Sequence, residues 1–143
     1  MQTEFDTNNI LHGTKGYLFW NNKRVAGLQS VEIKLNPEWE SVNQCGDTAT
    51  YHAYNGYEVD GTFTYLKCDS TILKELWQAF ITGKWPKITI NTSIGQRGTN
   101  KVERVAVTDI VVTELMLAKF EAKKYSEDTV PFKGGKFTVL ETI

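Results

Sequence analysis

At 143 residues the chain has the length of one domain. A domain of that size buries roughly 68–70% of the surface its unfolded form exposes, enough for one hydrophobic core. With 41% apolar and 23% charged residues and three prolines, it falls outside the low-hydrophobicity, high-charge class of disordered chains. A formal charge of −1 argues against a protein that grips a polyanion by bulk charge.

Residues 1–11 are polar and acidic, without the basic cluster and apolar run of a secretory signal. No stretch of about 18 apolar residues predicts a membrane span, so no membrane anchor is expected, and assembly should take place in a cytoplasm. Cys45 and Cys68 lack a ligand-spaced histidine and are expected as two free, structural thiols.

In chain order, residues 1–14 read as a polar N-terminal arm, followed by a single β domain over 15–143. Gly16-Tyr17-Leu18-Phe19-Trp20 predicts a strand, and Asn21-Asn22 a two-residue hairpin turn, because Asn tolerates positive φ. Lys23-Arg24-Val25-Ala26 is the return strand. Val31, Ile33 and Leu35 alternate with polar neighbours, giving one dry and one wet face, and Pro37 is expected to end that strand. Residues 37–55 show no sustained alternation and read as a long irregular loop, of the kind that touches a partner. Tyr57, Val59, Phe63 and Tyr65 then form the dry face of the clearest strand, with Gly61 marking a bend or a close backbone approach.

The spacing of Ile72, Leu73, Leu76, Trp77, Phe80 and Ile81 predicts one packed helix over about 70–82. Asp69 or Ser70 caps it, and Gly83 stops it. Ile88, Ile90 and Ile94 alternate as a strand, and Gly95-Gln96-Arg97-Gly98 is a turn. Residues 102–117 predict two strands broken near Thr108-Asp109, residues 119–128 are charged and ambiguous, and Phe137, Val139 and Ile143 mark a C-terminal strand after Gly134-Gly135. Seven or eight strands and one helix predict a mainly β fold, a sandwich or barrel carrying one packed helix.

No catalytic constellation is visible. Glu38 and Glu40 are two residues apart, a spacing that does not define the separation a carboxylate pair needs. His12 and His52 have no partner motif for nucleophilic catalysis. Gly95-Gln96-Arg97-Gly98 lacks the Lys-Ser/Thr of a phosphate loop and does not open a helix. Most aromatic residues, Trp77 included, fall on predicted dry faces. Trp39 stands apart in a polar stretch and reads as an anchor for a partner. Neither an enzyme nor a cofactor or metal site is expected.

Several segments together resemble the tail tube proteins of contractile phage tails, of defective-prophage particles and of R-type bacteriocins from Gram-positive bacteria. They are the glycine and short hairpin of residues 13–25, the strand 31–35 with the segment that follows to Asn55-Gly56, and Gly61-Thr62-Phe63-Thr64. To these add the helix end Gly83-Lys84, and Gly98-Thr99 leading into Val105-Ala106-Val107-Thr108-Asp109. The most specific is Glu127-Asp128-Thr129-Val130-Pro131-Phe132. Lys133-Gly134-Gly135-Lys136 departs from the acidic and aromatic continuation common in that family.

The resemblance implies a β-sandwich whose sheets join between subunits, as homo-hexameric rings stacked into a hollow tube. A contractile sheath protein would lie outside, with baseplate and tail terminator proteins at the ends and DNA in the lumen of a DNA-carrying tail. The particle would assemble in the bacterial host cytoplasm and then form a phage tail or a released bacteriocin. On that reading Pro37, Trp39, Glu40, Tyr51, His52 and Tyr54 are expected at contacts between subunits. Polar parity on the predicted strands places Glu32, Lys34, Glu58, Asp60, Thr62, Thr64, Thr89 and Asn91 on the lumen wall. The alternatives are an OB-like nucleic-acid-binding barrel, which needs a basic aromatic face, and a carbohydrate-binding β-sandwich, which needs tryptophans on one sheet face.

Overall fold

The structure is a computed structural model and describes residues 4–143. Two antiparallel sheets face each other. One contains β1 (Tyr17–Trp20), β2 (Lys23–Arg24), β5 (Ile90–Gly95), β6 (Val102–Thr108) and β9 (Lys136–Glu141), in the order β2-β1-β5-β6-β9. The other contains β3 (Leu28–Val42), β4 (Tyr51–Leu66), β7 (Val111–Val112) and β8 (Glu127–Gly134), in the order β3-β4-β8-β7. One helix, α1 (Thr71–Thr82), joins the layers.

The core forms where the inward parities of both sheets meet. Leu18 and Trp20 of β1, Ile90 of β5 and Val107 of β6 close onto Val59 and Phe63 of β4 and Val130 and Phe132 of β8. Phe63 sits at the centre, its ring 5.9 Å from Trp20, 5.9 Å from Tyr65 and 6.2 Å from Phe132. Burying a side chain of this kind stabilises the fold by about 1.5–3 kcal/mol. Asn21 and Asn22 both take positive φ, 48° and 67°, so the β1–β2 hairpin has the tight turn its sequence predicts.

The helix matches its predicted span. The Asp69 carboxylate accepts the Thr71 N–H at 3.1 Å, whereas the Ser70 side chain makes no capping bond. Gly83 ends the helix at φ 75°, its N–H donating to the Ala79 carbonyl at 2.8 Å. The Trp20 indole N–H donates to Glu75 at 2.8 Å and ties helix to sheet. Only Ile72, Leu76 and Ala79 are buried, a narrower stripe than expected. Trp77, expected in the core, is 45% exposed, and Phe80 and Ile81 are exposed too, because no second layer covers that side of the helix.

Three further expectations are corrected. Residues 37–55 are not an irregular loop. Pro37 does not end β3, which continues to Val42 and pairs with β4 down to Tyr51, with one irregularity between Pro37 and Trp39. The two arms form a long hairpin, and the segment joining them is residues 43–50. Second, the two strands expected over 102–117 do break at Asp109, which takes φ 55°, but β7 stops at Val112 instead of reaching Leu117. Third, both cysteines are free but exposed, so neither has a packing role.

Strand β8 was hidden from sequence reasoning by Pro131. Its C=O accepts the Thr113 N–H at 3.1 Å, so the side on which proline lacks an N–H is the side where β7 has already ended. The missing donor therefore removes no ladder bond. At Gly134-Gly135 the chain crosses from one sheet to the other, and a Cβ on Gly134 would collide with Val107.

Gly61 marks a close approach. A Cβ there would lie 2.6 Å from the Glu32 carbonyl oxygen and 2.7 Å from the Phe132 ring. Gly61→Val is expected to destabilise the domain by about 1–3 kcal/mol through overpacking. Gly13→Ala, which meets nothing within 4 Å, should be near neutral. Denaturant unfolding of both variants checks the contrast.

Candidate functional site

The outer face of the four-stranded sheet is mainly polar over residues 30–36 of β3 and 58–64 of β4. The register sets Lys34 beside Asp60, Glu32 beside Thr62 and Asn36 beside Glu58, and on the other flank Lys133 beside Asp60 and Thr129 beside Thr64. Because pairing partners share a face, one surface gathers Glu32, Lys34, Glu58, Asp60, Thr62 and Thr64. Sequence parity had grouped these six. The other two, Thr89 and Asn91, lie elsewhere: Asn91 is on β5, opposite Phe19 and Ala106, and Thr89 precedes it. Both belong to the five-stranded side of the sandwich, so they do not lie on the same face as the six.

The charges on this face are paired within the chain. Lys34 Nζ lies 2.7 Å from Glu32, and Lys133 Nζ lies 2.6 Å from Glu58. These hydrogen-bonded carboxylates hold both ammonium groups above the ordinary lysine pKa. The Asn36 amide donates to Asp60 at 3.0 Å, and the Thr64 and Thr129 hydroxyls meet at 3.2 Å. Lys133 is thus paired with a carboxylate of the neighbouring strand. Counting Glu127, which follows the same parity, four carboxylates face two ammonium groups.

The second feature is the distal half of the β3–β4 hairpin. Pro37, Trp39, Glu40, Tyr51, His52 and Tyr54 all lie on its two arms and all are exposed. Trp39 pairs with Tyr54 across the ladder, their rings edge to face at 5.6 Å, and Trp39 is 59% exposed. Leu35, Pro37 and Trp39 share the side of β3 that faces inward lower down. Leu35 still borders the space between the sheets, whereas Pro37 and Trp39, further along, are exposed. The connecting segment is held by Asp47, whose carboxylate accepts from the Tyr51 hydroxyl, from the Ala49 N–H at 2.9 Å and from Gln44 at 3.2 Å. The Tyr51 hydroxyl, then the Ala49 N–H, keep the Asp47 carboxyl below its usual pKa, and the same bond raises that of Tyr51.

Other candidate chemistry is occupied structurally. His12 Nδ1 accepts the Thr14 N–H at 3.2 Å and caps a short 3₁₀ turn. In the Gly95–Gly98 turn, the Arg97 N–H donates to Ile10 at 3.2 Å and the Gly98 N–H to Asn8 at 2.8 Å, so these amides serve the N-terminal segment rather than an anion. Glu38 and Glu40 stand in the exposed hairpin. Among the described residues, no three His, Cys, Asp or Glu side chains are placed to hold a metal ion, and no helix is long and apolar enough to cross a membrane. The exposed tryptophans sit apart, Trp39 on the hairpin and Trp77 on the helix, not together on one sheet face.

Comparison with known proteins agrees with this architecture. The chain is 24% identical over 137 residues to the phage-like element PBSX protein XkdM of Bacillus subtilis (strain 168), covering 94% of this chain and 93% of the relative. It is equally similar, with the same coverage, to the uncharacterized protein YqbM of that strain. Its fold is similar to a chain in the cryo-EM structure of the anti-feeding prophage cap (AFP tube terminating cap), with a TM-score of 0.72, 13% identity, and coverage of 99% of this chain and 94% of the other. A second similar fold occurs in the PVC sheath/tube terminator of an extracellular contractile injection system in its extended state, with a TM-score of 0.68, 11% identity, and coverage of 96% and 98%. The model of the family described as "Phage tail tube protein" matches residues 3–141, and the chain belongs to that family of phage tail structural proteins.

Proposed function

We propose that the chain is the repeating subunit of the inner tube of a contractile particle, six copies to a ring and rings stacked into a hollow conduit. The observation that carries this reading is the four-stranded sheet: one polar face, and two open edges at β3 and β7. Open edges present unpaired N–H and C=O groups, and joining β3 of one copy to the edge formed by β7 and the uncovered part of β8 in the next would pair groups on both. Repeated around a ring, that contact closes the sheets into a barrel with the polar face inside. The excess of carboxylates on that face would keep a polyanion from adhering while it passes. A sheath would supply the energy of contraction, with the tube as the rigid member it drives, and baseplate and terminator proteins would close its ends.

The aromatic hairpin extends beyond the part of the sandwich that covers it, and suits contact with a neighbouring copy or ring. Exposed Trp and Tyr side chains are the residue types that dominate interface energetics. Electron microscopy of concentrated protein should show rings or tubes, and a chain that stays monomeric at every concentration would overturn the reading.

A second reading, a terminator that caps the tube, is favoured by the similarity in fold to a tube-terminating cap and to a sheath/tube terminator. A gold-labelled tag on the chain separates the two. Label repeating along the shaft supports the tube subunit, and label confined to one end supports the terminator.

Two substitutions probe the surfaces. Trp39→Ala removes an exposed side chain, so the melting temperature of the monomer should hardly move, while the concentration needed for assembly, followed by light scattering, should rise about thirtyfold, the equivalent of a ~2 kcal/mol hot spot. Asp60→Cys, with Cys45 and Cys68 replaced by Ser, should react with a bulky thiol reagent in the monomer and be protected in intact tubes. Equal labelling in both states would move Asp60 off the lumen.

A further inference from the structure

The sandwich is not closed along its β3 edge. Between the sheets lies an apolar cleft of about 510 Å³, lined by Leu28, Val31, Ile33 and Leu35 of β3 and by Val105 and Phe137 of the facing sheet. Ile33 is half-buried, and Val31 and Leu35 are exposed, although their parity points them inward. The dry face of β3 is therefore only partly covered by its own chain.

The opposite edge carries the complementary feature. Residues 113–126, between β7 and β8, expose Leu117 at 72%, Phe120 at 86% and Tyr125 at 92%. The segment has internal structure: Lys124 pairs with Glu121 at 3.3 Å, its N–H donates to the Glu121 carbonyl at 3.2 Å, and the Ser126 hydroxyl donates to Lys119 at 3.4 Å. Leu115 packs against the core, so the segment leaves β7 on the core side of the sheet, the same side as the cleft.

Register places the two ends of the 113–126 segment at the levels of Glu32 and of Gly27, so the segment spans the Leu28–Val31 part of the cleft. At the second end the Ser126 carbonyl accepts the Lys67 N–H, and the Leu66 N–H donates to Gly27. The Thr113 N–H donates to Pro131, Pro131 pairs with Thr62, and Thr62 pairs with Glu32, in the middle of the stretch of β3 that lines the cleft. Within one chain the two lie at opposite edges of one sheet. Setting β7 of one copy beside β3 of the next brings them together without bending either sheet.

We propose that Leu117 and Phe120 of one copy seat in the cleft beneath β3 of the adjacent copy, as a head-to-tail knob and socket that completes each sandwich core. The occupant is a second copy of this chain. Such a heterologous contact propagates around a ring and leaves no unfilled socket once the ring closes. The inference rests on the edge-to-edge reading above and adds to it the apolar part of the contact, where the burial energy lies.

The test uses two cysteine variants in a background with Cys45 and Cys68 replaced by Ser. One carries Phe120→Cys, the other Val31→Cys. The two are mixed, assembled, checked by electron microscopy and mildly oxidised. The expected product is a disulfide-linked heterodimer in assembled material and none in dilute monomer. Wild-type tubes whose mixed variants assemble yet do not cross-link would overturn the knob and socket while leaving the tube intact. A wild-type chain that never assembles overturns both. As a second measurement, Phe120→Ala should leave monomer unfolding unchanged and raise the assembly concentration at least tenfold. An unchanged assembly concentration would overturn the proposal independently.

Discussion

Strands β3 and β4 run for fifteen and sixteen residues, while the strands of the opposing sheet have seven residues or fewer. That mismatch in length governs the rest of the molecule. Where the layers overlap, inward side chains such as Val59 and Phe63 are fully enclosed. Towards the end of the overlap the cover thins: Tyr57 meets only the edge of Phe137, Leu35 borders the open cleft, and Trp39 further along is exposed. Apolar side chains left in water at one end and along one edge are a cost that a self-sufficient domain would not keep. On the proposed function, sister chains would remove that cost.

The polar sheet face follows from the same geometry. A sheet in a two-layer fold has one covered side, and the other must face solvent or a channel. Here the uncovered side carries short-range ion pairs and hydroxyls, held in register by the β3–β4 and β4–β8 ladders. At sites this open, such pairs add little stability. Their effect is on the character of the surface, which is hydrophilic and slightly acidic.

Sequence reasoning found the elements whose alternation reports a covered face. Val31 to Leu35, Tyr57 to Tyr65 and the helix from Thr71 all have one dry side, and each was visible for that reason. The hairpin arms were missed because neither face of residues 37–55 is covered by the chain itself. Without a dry side there is no period of two to read, and Pro37 and Gly56 look like punctuation. The six polar residues on β3 and β4 share one face because a strand fixes which side chains lie together. Thr89 and Asn91 were misgrouped because parity within a strand does not say to which sheet the strand belongs. Strand β8 does alternate, through Val130 and Phe132, but Pro131 masked it, and proline tolerance at that point depends on where β7 stops, a tertiary fact.

The Gly134-Gly135 crossover carries one more consequence. Strands β8 and β9 are almost continuous in sequence yet lie in different layers, with the Gly135 amide anchored on Thr108 at 3.0 Å. The two layers are therefore joined by a short length of backbone as well as by the contact of their side chains, and a Cβ at Gly134 would force them apart at Val107.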